Sequence, residues 1–201
     1  QSSYVVMELA EPEAFKASEE QVTSSNAHVT ELPYINISRF LSLYGIGVPE
    51  IYYYDRERGV LILEDLGDST MHEVLKASAT DTQEKYYKKA IDELLLIQIS
   101  ATKGLDRGCI ASGRGFDIPL LMWEFDHFIE YGIEARSGKK LGETEKSEIR
   151  EQFYRISKTL SDEPKFLTHR DYHSRNLMIK DERVRVIDFQ DALMGPTVYD
   201  L

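Results

Sequence analysis

Apolar and β-branched residues dominate Tyr4-Val5-Val6-Met7-Glu8-Leu9, the composition of a strand. Glu11-Pro12-Glu13 stops it, because proline withdraws a donor from any continuing ladder, and a polar connection leads to about Thr30. Over residues 32–44 the period changes. Ile37, Phe40, Leu41 and Tyr44 fall at i, i+3, i+4 and i+7, so one face of a helix is predicted, with Pro33 in its first turn and Gly45 as the left-handed stop. Ile51-Tyr52-Tyr53-Tyr54 and Val60-Leu61-Ile62-Leu63 then read as two paired strands across a turn that ends in Gly59.

Beyond residue 66 the pattern is mainly helical. A short helix is predicted over 70–76. A longer one spans 81–102, capped by Thr80 or Asp81, with Tyr87, Ile91, Leu94, Leu95 and Gln98 on one stripe. Residues 103–117 lose periodicity and gather four glycines without G-x-x-x-x-G-K-[ST], which predicts a mobile surface loop and no phosphate cradle. Pro119 opens a helix to about Ala135, with Leu121, Phe125, Phe128 and Gly132 facing the core. Another helix starts near Thr144 and carries Ile149, Phe153, Ile156 and Leu160 until Pro164. The hairpin Leu177-Met178-Ile179 and Val184-Arg185-Val186-Ile187 turns at Asp181-Glu182-Arg183. The expected class is α+β in two lobes, a β-rich residues 1–66 and a mainly helical residues 67–201.

Composition narrows the partners. At 201 residues the chain can bury a core, and its net charge of −11, spread along the sequence, argues against nucleic acid or an anionic membrane surface. One cysteine, Cys109, excludes an internal disulfide and makes a reducing, cytoplasmic setting the expectation. The sequence has no apolar run near the roughly 18 residues a membrane span requires.

The chemistry gathers near the end. His169-Arg170-Asp171-Tyr172-His173-Ser174-Arg175-Asn176 places a carboxylate on a polar loop and a carboxamide five residues on, and Ile187-Asp188-Phe189-Gln190-Asp191 puts a second carboxylate at the close of a strand. Asp171 can accept a hydroxyl proton, while Asn176 and Asp188 offer hard oxygens suited to Mg²⁺ on a nucleotide phosphate. H-x-D-x-x-x-x-N followed by I-D-F, with a hairpin between, is the kinase catalytic-loop and metal-loop signature, with Gln190 where protein kinases carry glycine. Only about a dozen residues separate Asp188 from Tyr199-Asp200-Leu201, too few for a peptide platform, so no protein substrate is expected.

On these motifs, together with Gly47-Val48-Pro49-Glu50 and Leu63-Glu64-Asp65-Leu66-Gly67, nearly the whole chain resembles the aminoglycoside phosphotransferase and choline kinase-like small-molecule kinases. H-R-D-Y-x-x-R-N-L-M and D-F-Q-D-A-x-x-G-P-x-x-Y-D-L look most like the bacterial kinases that phosphorylate the anomeric hydroxyl of N-acetylmuramic acid and N-acetylglucosamine. The resemblance implies ATP and Mg²⁺ as cofactors and an amino sugar as acceptor, with an aminoglycoside or choline as the alternative. It implies a hinge at residues 63–66, where the Glu64 carbonyl and Leu66 N–H meet the adenine edge beside Leu63. Tyr172, Arg175, Asp191 and Glu124 become candidate acceptor contacts. His169 is expected to pack under the loop, Arg170 to find an acidic partner, and Asp200 to hold the loop by accepting backbone N–H bonds.

Two departures stand out. Met7 occupies the strand position of the phosphate-holding lysine, which keeps a nucleotide-binding pseudokinase in view, although a scaffold has no physical need for a base and two metal ligands. The two strands and glycine-rich turn expected before Tyr4, and the helices expected after Leu201, are not in the sequence, so a fragment is expected.

Overall fold

The computed structural model describes residues 3–9 and 31–201; the strand stop at Glu11-Pro12-Glu13 and the connection to Thr30 lie outside them. Strands β1 (Tyr4–Glu8), β2 (Ile51–Asp55) and β3 (Val60–Glu64) form an antiparallel sheet in the order β1-β3-β2. Met7 lies opposite Leu61 and Val5 opposite Leu63. Leu61 and Leu63 are buried while Val60, Ile62 and Glu64 are half-exposed, the period of two expected when one face of a sheet is covered.

Helix α1 (Pro33–Leu43) starts on its proline and buries Ile37, Phe40 and Leu41, and Gly45 takes the left-handed conformation at its end. Its buried Asn36 also reaches out of the helix. The amide donates to the Gly108 carbonyl at 2.9 Å and its oxygen accepts from the Ile110 N–H at 2.8 Å. This corrects the mobile surface loop. Cys109, Ile110, Ala111 and Phe116 are core residues, and Ile110–Gly113 is a 3₁₀ turn. Local periodicity fails there because the anchor is a side chain more than seventy residues upstream.

Helix α2 (Met71–Lys76) is capped by Thr70, whose hydroxyl accepts from the Glu73 N–H. Helix α3 (Thr80–Leu95) continues through a π-helical stretch, Leu96–Ala101, and starts one position before the expected caps, with Ala79 as N-cap. Its stripe is corrected in part: Leu94 and Gln98 are buried as expected, together with Tyr86, Ala90, Ile97 and Ala101, whereas Tyr87, Ile91 and Leu95 are exposed. Two apolar stripes compete on this helix. The one with alanines wins because small side chains let α3 approach its neighbours closely.

Helix α4 (Ile118–His127) is capped by Asp117 and runs into a second π-helical stretch, Phe128–Ala135. Leu120, Leu121 and Ile129 face inward and Phe128 faces solvent. Helix α5 (Glu143–Asp162) packs on α4 through Phe153, stacked on Phe125 at 4.1 Å between centroids, while Ile156 stays exposed. Glu134 fastens the α4–α5 connection. Lys140 at 2.8 Å and Lys146 at 2.9 Å hold its carboxyl down at about 2.

Strands β4 (Lys165–Thr168) and β7 (Leu193–Pro196) pair antiparallel, as do β5 (Leu177–Lys180) and β6 (Arg183–Val186). The first ribbon leads into the loop at His169 and the second carries residues 176 and 188 just beyond its two open ends. One core, from α1 through α3 to Phe189 and Ala192, underlies both.

Candidate active site

The loop after β4 is set from beneath. Asp200 accepts the His169 N–H at 2.7 Å and the Arg170 N–H at 2.9 Å, as its place in the sequence suggested. Burial raises the Asp200 carboxyl above its ordinary range, and those two N–H bonds oppose the rise. The clamp holds Arg170 at φ 81°, a left-handed conformation costly for a side chain with a Cβ. His169 is buried, its Nε2–H donating to the Ile187 carbonyl at 2.9 Å, while Nδ1 has no hydrogen-bond partner among the described residues. Burial lowers its pKa, so the ring is the neutral Nε2–H tautomer that ties the loop to the strand before Asp188.

Above this support the Asn176 side chain ties the Asp171 backbone to the Asp188 carboxylate. Asn176 Nδ2 donates to the Asp171 carbonyl at 3.0 Å and to Asp188 Oδ2 at 3.3 Å. One carboxamide therefore spans the loop and the end of β6. Asp171 and Asp188 are both exposed, and Asp188 sits at φ 63°. Phe189 is fully buried, its ring 4.9 Å from that of Tyr34 on α1, and fixes the chain at that point. Burial pushes the Tyr34 hydroxyl up to about 12.

The donor set fits a magnesium ion carried by phosphates. With Nδ2 committed to Asp171 and Asp188, Asn176 keeps Oδ1 for a cation, and Asp188 adds a carboxylate. Among the described residues no three carboxylate, histidine or cysteine side chains cluster to hold a metal by themselves. That is the donor count of a site completed by phosphate oxygens and water.

Of the other expected residues, Glu124 lies beside the loop but is already paired, Arg170 Nη2 meeting its Oε1 at 2.8 Å. Tyr172 is a correction. Its hydroxyl donates to the Ala90 carbonyl at 2.6 Å and it points into α3, so it does not face an acceptor; burial pushes its pKa up. It alternates with Asp171 along the loop, and the apolar ring took the core side. Arg175 is exposed and Asp191 is half-exposed.

At the hinge, Leu63 and Leu66 are buried. The Glu64 carboxylate meets Lys180 at 2.9 Å and Arg185 at 2.5 Å. Burial opposes its ionisation, but Lys180, Arg185 and the Glu50 N–H outweigh burial and hold the group below the usual carboxylate range. Lys180 also donates to the Asp65 carbonyl at 2.8 Å, and Arg185 to the Val48 carbonyl at 2.6 Å. Sequence reading missed both cations. They lie on β5 and β6 more than a hundred residues from Glu64, and nothing local marks them.

Comparison with known proteins identifies the family and the fold. Residues 21–201 match the profile described as the phosphotransferase enzyme family. N-acetylmuramate/N-acetylglucosamine kinase from Pseudomonas putida is 35% identical over 173 residues, 84% of this chain and 47% of that protein. The protein of the same name from Pseudomonas aeruginosa is 31% identical over 173 residues, with the same shares covered. The chain thus spans about half the length of the curated relatives it matches. Choline kinase LicA from Streptococcus pneumoniae superposes with a TM-score of 0.58 at 18% identity, over 99% of this chain and 59% of that one. The gentamicin complex of APH(2")-IIa gives 0.54 at 17%, over 98% and 62%. These two likenesses establish the two-lobed, kinase-like fold.

Proposed function

The chain belongs to the phosphotransferase enzyme family, and we propose that its protein moves the γ-phosphate of ATP to the anomeric hydroxyl of an amino sugar of the N-acetylmuramate or N-acetylglucosamine type. The observation that carries the phosphotransfer reading is the Asn176 carboxamide, which joins the Asp171 loop to Asp188. The relatives that bear the sugar-kinase name, at 35% and 31% identity, carry the acceptor.

In this reading residues 1–66 bind the nucleotide, with the Glu64 carbonyl and Leu66 N–H on the adenine edge and Leu63 packed beside it. Residues 67–201 bring the acceptor, with Arg175 and Asp191 near it and Glu124 acting through Arg170. Asp171 orients the acceptor hydroxyl and takes its proton. The acceptor oxygen bonds to the γ-phosphorus, the bond to the β,γ-bridging oxygen breaks, and ADP leaves. Because such transition states are loose, orientation by Asp171 counts at least as much as proton removal. Magnesium, when bound, neutralises phosphate charge, and Asn176 Oδ1 and Asp188 are the oxygens that would hold it. A buried, unpaired Cys109 suits the reducing cytoplasm, where ATP is available. No helix among the described residues is long and apolar enough to cross a membrane.

The test offers ATP and Mg²⁺ with N-acetylmuramate, N-acetylglucosamine, an aminoglycoside or choline, and follows products by ³¹P NMR. An anomeric sugar phosphate is expected. A phosphorylated aminoglycoside or phosphocholine would replace the acceptor but keep the reaction. Nucleotide binding without transfer to any acceptor would favour a pseudokinase.

A further inference from the structure

Asp188 is held on both sides. Asn176 Nδ2 lies 3.3 Å from Oδ2, and Gln190 Nε2 lies 2.8 Å from Oδ1. Between Asp188 and Gln190 the chain is anchored, since Phe189 is fully buried and its carbonyl accepts the Ala192 N–H at 3.0 Å. The backbone of Asp188 is in the left-handed region, which its Cβ disfavours. A carboxylate on such a residue turns about χ1 and χ2 unless something outside the backbone fixes it.

We propose that Gln190 is a positioning residue for the metal ligand: its carboxamide N–H pins Oδ1 of Asp188 and so presents Oδ2, beside Asn176, to the divalent cation. The two bonds differ in a way that assigns these roles. The Gln190 contact is short and engages the oxygen away from Asn176. The Asn176 contact is long, and its oxygen is the one next to the second hard ligand. Glycine, the residue protein kinases carry at this position, has no donor to offer. Outer-sphere hydrogen bonds of this kind orient ligating carboxylates, and their loss typically weakens metal binding about 10–100-fold. The inference rests on the phosphotransferase reading and assigns a function to a residue that reading leaves idle.

The experiment measures Mn²⁺ binding by electron paramagnetic resonance in the presence of ADP and without acceptor, so that no turnover is involved. Wild type is compared with Gln190→Met, which keeps length and packing but has no N–H, and with Gln190→Ala. Both variants are expected to bind Mn²⁺ about 10–100-fold more weakly, with ADP affinity in EDTA and the metal-free melting temperature held close to wild type. Wild-type Mn²⁺ affinity in Gln190→Met overturns the inference, and if Gln190→Ala alone is impaired, the side chain only fills space. A fall in metal-free stability that tracks the loss of affinity also overturns it, by making the role structural. If wild type itself fails to bind Mn²⁺ with ADP, the phosphotransferase reading fails and the inference falls with it.

Discussion

Arg185 Nη2 meets Glu64 Oε2 at 2.5 Å across 121 residues of sequence, with the two side chains 20% and 15% exposed. The contact binds the end of β3, where the hinge begins, to the hairpin whose open ends carry Asn176 and Asp188. Lys180 shares the same carboxylate, so Glu64 is the junction of a three-charge cluster.

Arg185→Ala is expected to destabilise the protein by about 1–3 kcal/mol, less than a fully buried pair would give because both groups keep some solvent. A double-mutant cycle with Glu64→Gln should return a coupling of about 0.5–3 kcal/mol in urea unfolding, since the residues touch. The pH sign follows from Glu64, whose folded pKa is lowered. Its contribution is full above the unfolded carboxylate range and is lost as pH falls through the lower folded value. The difference between wild type and Glu64→Gln should therefore shrink below about pH 4.5. A gap that stays constant to pH 3 would remove ionisation from the account.

Asp171→Asn keeps the backbone carbonyl that Asn176 holds at 3.0 Å, so the loop geometry should survive. What is lost is the acceptor for a hydroxyl proton. Initial rates of phosphoryl transfer are expected to fall by about 10²–10⁴ or more, while nucleotide affinity by fluorescence titration stays near wild type. Undiminished turnover would take Asp171 out of the mechanism.

How much of this was legible beforehand depended on how far apart the partners lie. Pro33, Gly45 and the 3.6-residue period gave α1, because propensity and pattern act within a turn or two of the chain. The sequence motif brought out Asp171, Asn176 and Asp188, and Asp200 beneath them, since these residues stand within a few dozen positions of one another. The Asn36 anchor, the Lys180 and Arg185 clamp, and the choice between two apolar stripes on α3 were hidden. Each is decided by a tertiary neighbour, which local periodicity does not encode. Tyr172 was misassigned for the same reason: a polar tip reads as a substrate contact until the carbonyl it meets is known.

His169 sets a second pH dependence. Its folded pKa is lowered by burial, and among the described residues Nδ1 has no acceptor for a second proton. The unfolded chain binds that proton near pH 6.5 and the folded chain does not, so stability is full above about pH 6.5 and falls as pH drops toward the folded value. The expected slope is up to about 1.4 kcal/mol per pH unit for this one group. His169→Gln can still donate to the Ile187 carbonyl and should flatten the slope between about pH 6.5 and 5 in urea midpoints. An unchanged slope would assign that range to other groups.

Gly47 tests whether the hairpin needs its close approach to the segment before β2. The Val186 N–H donates to the Gly47 carbonyl at 2.6 Å, and a Cβ at Gly47 would lie 2.9 Å from the Val184 carbonyl oxygen and 3.0 Å from Arg185 Cδ. The first neighbour is backbone and cannot swing away, so Gly47→Ala must push β6 outward. The cost expected for such overpacking is about 1–3 kcal/mol. Gly67 provides the contrast. It has φ +80°, and a Cβ there would meet nothing within 4 Å among the described residues, so Gly67→Ala strains only its own backbone and should cost about 1 kcal/mol. The two variants differ in a second respect. Displacing β6 also carries Arg185 away from Glu64, so Gly47→Ala and Arg185→Ala should be less than additive, whereas Gly67→Ala and Arg185→Ala should add within about 0.5 kcal/mol. Additivity in the first pair would mean that the hairpin yields at Gly47 without loosening the clamp on the hinge.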